Sequence, residues 1–393
     1  MAKPLGFEKP LGMRDMLPES LAKQRYLEAA LRGEIEKWGY LEIATPSLEY
    51  YDTVGEASLT TGERMFKLLD KQGHTVVLRP DMTAPIARVV SSLYKHVPFP
   101  IRLYYQANVF RAQEKEAGRN AEFSQTGVEL IGDGSVDADA EVIALAVACL
   151  QSAGLSSFKI AIGHAGFMDG LLEEIVPAQA DREQFRQCLL ERDYVGYRQL
   201  VDSLPLPEAG RKRLHALLRL RGGKEKIEQA RQLTVNGKAR QAVQTIQSLW
   251  EALEAYEVTA HLLLDFNLVL NLHYYTGIVF EGYAADLGSP LVGGGRYDHL
   301  LARFGRPAPA TGFAIKMDRL MQVTNHRPQR QAPALLIRYT EANRRRALRE
   351  AQRQRQLGRV VTTQLLAEGV DSGGLDARSD LEVVEMREEE AGR

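Results

Sequence analysis

The chain has 393 residues, and 50 Lys+Arg nearly balance 51 Asp+Glu for a formal net charge of -1 at pH 7. That length predicts about two or three domains with ample core. The charge balance excludes bulk attraction to nucleic acid or to anionic membrane, so RNA contact would need a local basic patch.

The first elements fall between residues 7 and 165. Pro18 opens a helical stretch from Ser20 to Trp38, where Leu21, Tyr26, Leu27, Ala30, Leu31 and Ile35 recur at helical spacing, and Gly39 ends it. Three runs rich in Val, Tyr and Phe then predict strands: Thr75 to Leu78, Ile101 to Arg111 and Glu122 to Ile131. A mostly apolar helix is predicted from Ala138 to Ala153. From about 170 to 256 the composition shifts to Leu, Arg, Gln and Glu. Asp181–Arg192, Glu208–Leu220 and Lys238–Tyr256 read there as amphipathic helices, which predicts a helical insertion.

Strand composition returns at Leu262–Leu270, Tyr274–Tyr283 and Thr311–Lys316. Beyond Gln331 come a strand at Ala334–Tyr339, an Arg-rich helix at Glu341–Leu357 and a strand near Val360–Gln364, with a charged, frayed end from Met386. The expected division is 1–325, interrupted at about 170–256, and 331–393. Strand-rich blocks on either side of a helical one predict an α+β fold on an antiparallel sheet.

The longest apolar run, Val142 to Leu150, is too short to span a membrane, and the first residues carry no apolar segment of a secretory signal. Two cysteines cannot build a disulfide scaffold, so the cytoplasm is the expected compartment. The eight histidines form no close metal-binding pair, and no metal or other cofactor is expected.

Four segments could carry chemistry. Strand parity puts Gln125, Gly127 and Glu129 on one face, an amide and a carboxylate with a glycine leaving room between them. The same segment also reads as an exposed polar strand. Parity likewise groups Tyr105, Ala107, Val109 and Arg111, next to a charged loop from Ala112 to Glu122. Asp81 and Thr83, after Arg79-Pro80, could bind a ligand or cap the following helix. Gly293-Gly294-Gly295 lacks the P-loop ending and fits a backbone crowded against a ligand or another strand.

In this order the segments resemble the class II aminoacyl-tRNA synthetases, and within them the histidyl-tRNA synthetase family, over about residues 7 to 325. Ala44 to Glu49 resembles motif 1, Phe110-Arg111-Ala112-Gln113 through Phe123 motif 2, and Gly312 to Leu320 motif 3. Leu272 to Glu281 and Gly294 to Asp298 resemble the two stretches peculiar to the histidine enzymes. The resemblance implies a class II synthetase-like antiparallel sheet flanked by helices, with a helical insertion and a short C-terminal α/β domain. It implies a histidine pocket from Asp81, Thr83, Arg111, Gln125, Glu129 and Tyr275. Glu129 would face the imidazole. Tyr274 and Tyr297 rank lower, because parity sets Tyr274 opposite Tyr275.

The departures fall on the nucleotide side. Leu270 stands where the family has an arginine that stabilises charge during adenylate formation, and an aliphatic chain offers no donor there. Gln113, Ala121, His273, Lys316 and Asp318 replace a Glu, an Arg, an Asp, a Gly and a Glu of the family. Asp81 replaces a Glu. The segment from Gln331 is short for the family's anticodon-binding domain, so tRNA reading is not expected. A histidine pocket kept beside a lost nucleotide site is similar to the family's regulatory paralogues. Those pair with a short-form ATP phosphoribosyltransferase catalytic subunit, activate it and bind L-histidine for feedback inhibition, without catalysing a reaction themselves. A homodimer within that complex is implied. An active histidyl-tRNA synthetase and an RNA-binding module on the Arg344–Arg355 helix are the alternatives.

Overall fold

A computed structural model describes residues 7–58, 60, 62–112, 120–270, 274–325, 334–366 and 381–386. Gln113, His273, most of the loop after Arg111 and the charged end beyond Met386 lie outside them. The chain divides into two compact units, residues 1–326 and 327–393.

Unit one opens with α1 (Pro18–Lys37), β1 (Leu41–Glu42), β2 (Leu48–Tyr50), β3 (Lys67–Leu69) and β4 (Thr75–Leu78). Next come α2 (Thr83–Ser92), β5 (Ile101–Phe110), β6 (Glu122–Ile131), α3 (Val136–Ser152), β7 (Phe158–His164) and α4 (Ala165–Ile175). The helical stretch is α5 (Gln179–Glu191), α6 (Tyr194–Ser203), α7 (Glu208–Leu217), the two-residue β8 (Arg221–Gly222), α8 (Glu225–Gln232) and α9 (Gly237–Ala255). The unit closes with β9 (Leu262–Asp265), β10 (Ile278–Ala284), β11 (Val292–Arg296), β12 (Ala310–Lys316) and α10 (Met317–Val323).

Nine strands form one sheet in the order β1-β5-β6-β12-β11-β10-β7-β9-β8. The six from β5 to β7 are antiparallel throughout. The antiparallel expectation holds for that centre, while β1 joins β5 and β9 joins β7 in parallel, so the whole sheet is mixed. A second sheet, β2-β4-β3, lies beside the start of α2 in sequence.

Alternation along the central strands separates two faces. One side carries Tyr104, Val128, Phe313 and Phe280, all buried in a large core with Leu27 and Leu31 of α1 and Val142 and Leu145 of α3. Phe185, Tyr197, Leu214 and Ile246 of the helical stretch join that same core. Ser135 starts α3 by accepting from the Ala138 amide at 3.2 Å, with Asp137 and Asp139 in the first turn, where the helix dipole favours them.

Several strand ends differ from expectation for physical reasons. β9 stops at Asp265 because its carboxylate accepts from the Asn267 amide at 3.0 Å and turns the chain. β10 starts at Ile278, later than Tyr274. The glycine run is a fully paired central strand, β11, and carries no loop. β7, α4, α6 and α8 were not read from the sequence. Among the described residues no helix is long and apolar enough to cross a membrane.

Unit two holds β13 (Ala334–Tyr339), α11 (Arg344–Gln356), β14 (Val361–Leu365) and β15 (Leu381–Met386). β13 pairs in parallel with both other strands, and Leu335, Ile337, Ala347, Ala351 and Val361 form its core.

Candidate functional site

Register across the sheet builds a cavity from the sequence upward. Directly paired residues share a face. One row across the strands reads Glu281, Gly293, Ala314, Gly127, Tyr105. The next reads Val279, Gly295, Gly312, Glu129, Leu103, and a third pairs Lys316 with Gln125. Glycine and alanine thus occupy the middle of three adjacent strands, β6, β12 and β11, and larger residues stand around them. The result is a cavity of about 520 Å³.

All eight expected residues line this cavity: Asp81, Thr83, Arg111, Gln125, Glu129, Tyr274, Tyr275 and Tyr297. The glycines mostly accommodate these neighbours. A Cβ on Gly127 would come within 2.5 Å of the Tyr105 hydroxyl, so the space above Gly127 belongs to Tyr105 instead of a ligand. A Cβ on Gly312 would collide with the Glu129 carboxylate, and one on Gly295 would lie 2.9 Å from the Tyr275 ring.

Glu129 sits at the deep end, 2% exposed. Tyr297 donates its hydroxyl to Glu129 Oε2. Burial pushes the Glu129 carboxyl up to about 8, although the Tyr297 and Thr83 hydroxyls pull it back and Asp81 adds to the rise. The surroundings thus favour the protonated form of this carboxyl far more than water does. Three tyrosine rings surround it. Tyr274 stacks on Tyr297 with centroids 5.3 Å apart and meets Tyr275 edge-on at 5.2 Å. The Tyr274 hydroxyl is buried beside Thr83 but makes no hydrogen bond of acceptable geometry among the described residues.

Tyr274 and Tyr275 reach the cavity together because they precede β10 and escape its alternation. The lower ranking of Tyr274 by strand parity is thereby corrected. Tyr297 follows β11, where Thr276 and Arg296 join the two segments at 2.8 Å.

Asp81 accepts from Ser58 and from the Ala84 amide, the latter at 3.1 Å. It holds an amide of the first turn of α2 and lines the cavity at once. Arg111 leaves β5 and turns back over Phe123, 5.3 Å from its centroid, with Nε donating to the Pro80 carbonyl at 3.0 Å. Burial lowers its pKa, opposed by the charge of Asp81.

The opposite end of the cavity holds Leu270, Glu281, Gly293, Lys316 and, from α5, Leu190. Burial, with Arg319 and Arg111 nearby, lowers the Lys316 ammonium to about 8. Arg192 of the α5 C-terminus donates to Glu281 Oε2 at 2.8 Å. Glu281 and Leu190 were not singled out from the sequence, and Tyr105 only as a member of the strand face that carries Arg111. Tyr105 shares strand parity with Arg111, a usable signal. Leu190 arrives through tertiary packing of a helix, and no local pattern marks it.

Residues 12–320 match the family described as histidyl-tRNA synthetase. An ATP phosphoribosyltransferase regulatory subunit of Halalkalibacterium halodurans is 48% identical over 368 residues, 93% of each chain. The protein of that name from Bacillus subtilis is 47% identical over 362 residues, 92% of each. Among solved structures, an ATP phosphoribosyltransferase regulatory subunit/histidyl-tRNA synthetase from Bacillus halodurans superposes with a TM-score of 0.91 at 46% identity. That match covers 98% of this chain and 99% of the other. Histidyl-tRNA synthetase from Nostoc shares the fold, with a TM-score of 0.77 at 20% identity over 93% of this chain and 88% of its own.

Proposed function

The chain belongs to the ATP phosphoribosyltransferase regulatory subunits, a family built on the histidyl-tRNA synthetase fold, and from that premise we propose that it is a histidine sensor. It assembles, as a homodimer within a larger cytoplasmic complex, with the short-form catalytic subunit. It activates that subunit in the first step of histidine biosynthesis and inhibits it when histidine accumulates.

One observation carries the reading: a buried carboxyl ringed by tyrosines lies in a cavity that also presents Asp81 and Arg111. A free amino acid needs an acceptor for its ammonium and a donor for its carboxylate. Asp81 and Gln125 serve the first, and Arg111 the second. Glu129 can donate its proton to an imidazole nitrogen or, once ionised, accept a ring N–H. Thr83, Tyr274, Tyr275 and Tyr297 enclose the ring and exclude water.

The same cavity opposes adenylate chemistry. Leu270 gives no donor to a developing phosphate charge, and the Lys316 side chain fills space that glycine leaves to a nucleotide. The protein is thus a regulator without catalysis of its own. Histidine shifts the assembly only by binding its states with different affinity.

Calorimetry with L-histidine tests the pocket. Glu129→Gln keeps the shape but removes the titrating group, and is expected to weaken binding by about 1.5–3 kcal/mol, roughly ten- to hundredfold. An unchanged Kd in a folded Glu129→Gln protein refutes the assignment.

A further inference from the structure

Unit two carries an excess of positive charge on one helix. Arg344–Gln356 of α11 holds six arginines and one glutamate, with no acidic residue in the first turn, where the helix dipole favours one. Ala347 and Ala351 are buried against the sheet, so the arginines lie outward. Arg344 pairs with Glu341 at 2.8 Å, Arg353 with Glu350 at 2.6 Å, and Arg355 donates to the Val361 carbonyl at 2.9 Å. Arg345 and Arg349 are exposed and make no hydrogen bond or ion pair among the described residues. Arg345, Arg349 and Arg353 follow one another at i,i+4, a spacing at which like charges repel. With Arg346 and Met386 they line a groove of about 600 Å³, whose one carboxylate, Glu350, is the one Arg353 already holds.

Met386 points to the occupant. It ends β15, and its carbonyl accepts from the Asn343 side chain at 3.4 Å, at the start of α11. The sequence continues from there with Arg387, Glu388, Glu389 and Glu390. An extended chain covers about 3.3 Å per residue and a helix rises about 1.5 Å per residue, so four residues beyond Met386 reach about 13 Å along α11. That is the level between Arg349 and Arg353. Among the described residues no aromatic ring lines the groove to stack a base, whereas the guanidinium fork matches a carboxylate.

We propose that the face of α11 carrying Arg345, Arg349 and Arg353 is the docking site of the acidic run Glu388, Glu389 and Glu390 of the same chain. The run neutralises the arginines and withholds this face from nucleic acid and from other acidic chains. Its tether makes the contact intramolecular, so pairs of exposed charges hold it at low ionic strength and release it at high. The dock is independent of what fills the sheet cavity of unit one.

Disulfide trapping in the full chain tests this. Gln356→Cys lies further along the same helix face, and Gly392→Cys lies beyond the acidic run, so every charge stays in place. Cys188→Ser removes the thiol that is not fully buried. An intramolecular disulfide is expected in a glutathione buffer at low salt. Its formation is expected to slow about tenfold in about 1 M NaCl, where the Debye length is about 3 Å. The same slowing is expected when Arg345→Gln and Arg349→Gln are added, and when Glu388→Gln, Glu389→Gln and Glu390→Gln are added. Trapping rates unchanged by salt and by both sets of substitutions overturn the dock, because the tether alone would then bring the thiols together. Disulfides between chains in place of the internal one overturn docking within a chain. A single-stranded RNA oligonucleotide bound as tightly by the wild type as by the triple Glu→Gln variant also overturns it, since the face would then be open.

Discussion

Tyr297, just beyond β11, donates its hydroxyl to Glu129 near the C-terminal end of β6, a bond that crosses the intervening strand β12. Gly312, the β12 residue paired with Glu129, has no side chain to obstruct it. The deep end of the cavity is therefore held by three strands at once.

This arrangement sets a pH dependence of stability. The Glu129 carboxyl is raised from 4.5 to about 8 in the folded chain. Between those values the native state holds a proton that the unfolded state has released, so stability falls as pH rises through that window. The urea midpoint of the ligand-free protein is expected to drop between pH 5.5 and pH 8, and Glu129→Gln is expected to flatten that slope. An unchanged slope in the variant would show that other groups cause it.

Gly312→Ala is expected to destabilise the fold and abolish histidine binding together, because its Cβ would strike both the Glu129 carboxylate and the Val128 carbonyl. Gly288→Ala, with open space around it, serves as the neutral comparison. Equal thermal midpoints for the two variants would contradict the packing described.

Arg296 and Asp139 form a buried pair at 2.9 Å that ties the end of β11 to the first turn of α3. Arg296 also donates to the Asp133 and Ser135 carbonyls at 3.1 and 2.9 Å. Asp139→Ala removes the buried partner, leaves Arg296 only the partly exposed Asp298 at 3.4 Å, and is expected to cost about 3 kcal/mol by urea denaturation. A loss below 1 kcal/mol, roughly the value of an exposed pair, would show that the pair is not structural.

Adenylate formation is expected to be absent, and Leu270→Arg alone is expected not to restore it, because Lys316 still occupies the nucleotide side. Histidine-dependent ATP–pyrophosphate exchange in that variant would reveal a more intact nucleotide site.

Much of this site was legible in advance. Gln125, Gly127 and Glu129 share a face because β6 runs uninterrupted from Glu122 to Ile131. Parity failed at Tyr274 because it describes strands, and that residue sits in the unpaired approach to β10. The glycines of β11 were marked as crowded, but only the register shows which neighbours crowd them. The helical block announced its amphipathic helices, yet its burial against the sheet and the reach of Leu190 into the cavity depend on tertiary packing. No single-sequence period encodes such contacts. β1 and β8, two residues each, are too short to leave a pattern.

The most direct test is ATP phosphoribosyltransferase activity of the same organism's short catalytic subunit, measured alone, with this chain, and with added histidine. The account predicts activation by the chain and inhibition by histidine, with coupling of about 1–3 kcal/mol, roughly 5- to 150-fold, lost in Glu129→Gln. A folded, competent catalytic subunit whose rate is unaffected by the chain would contradict it.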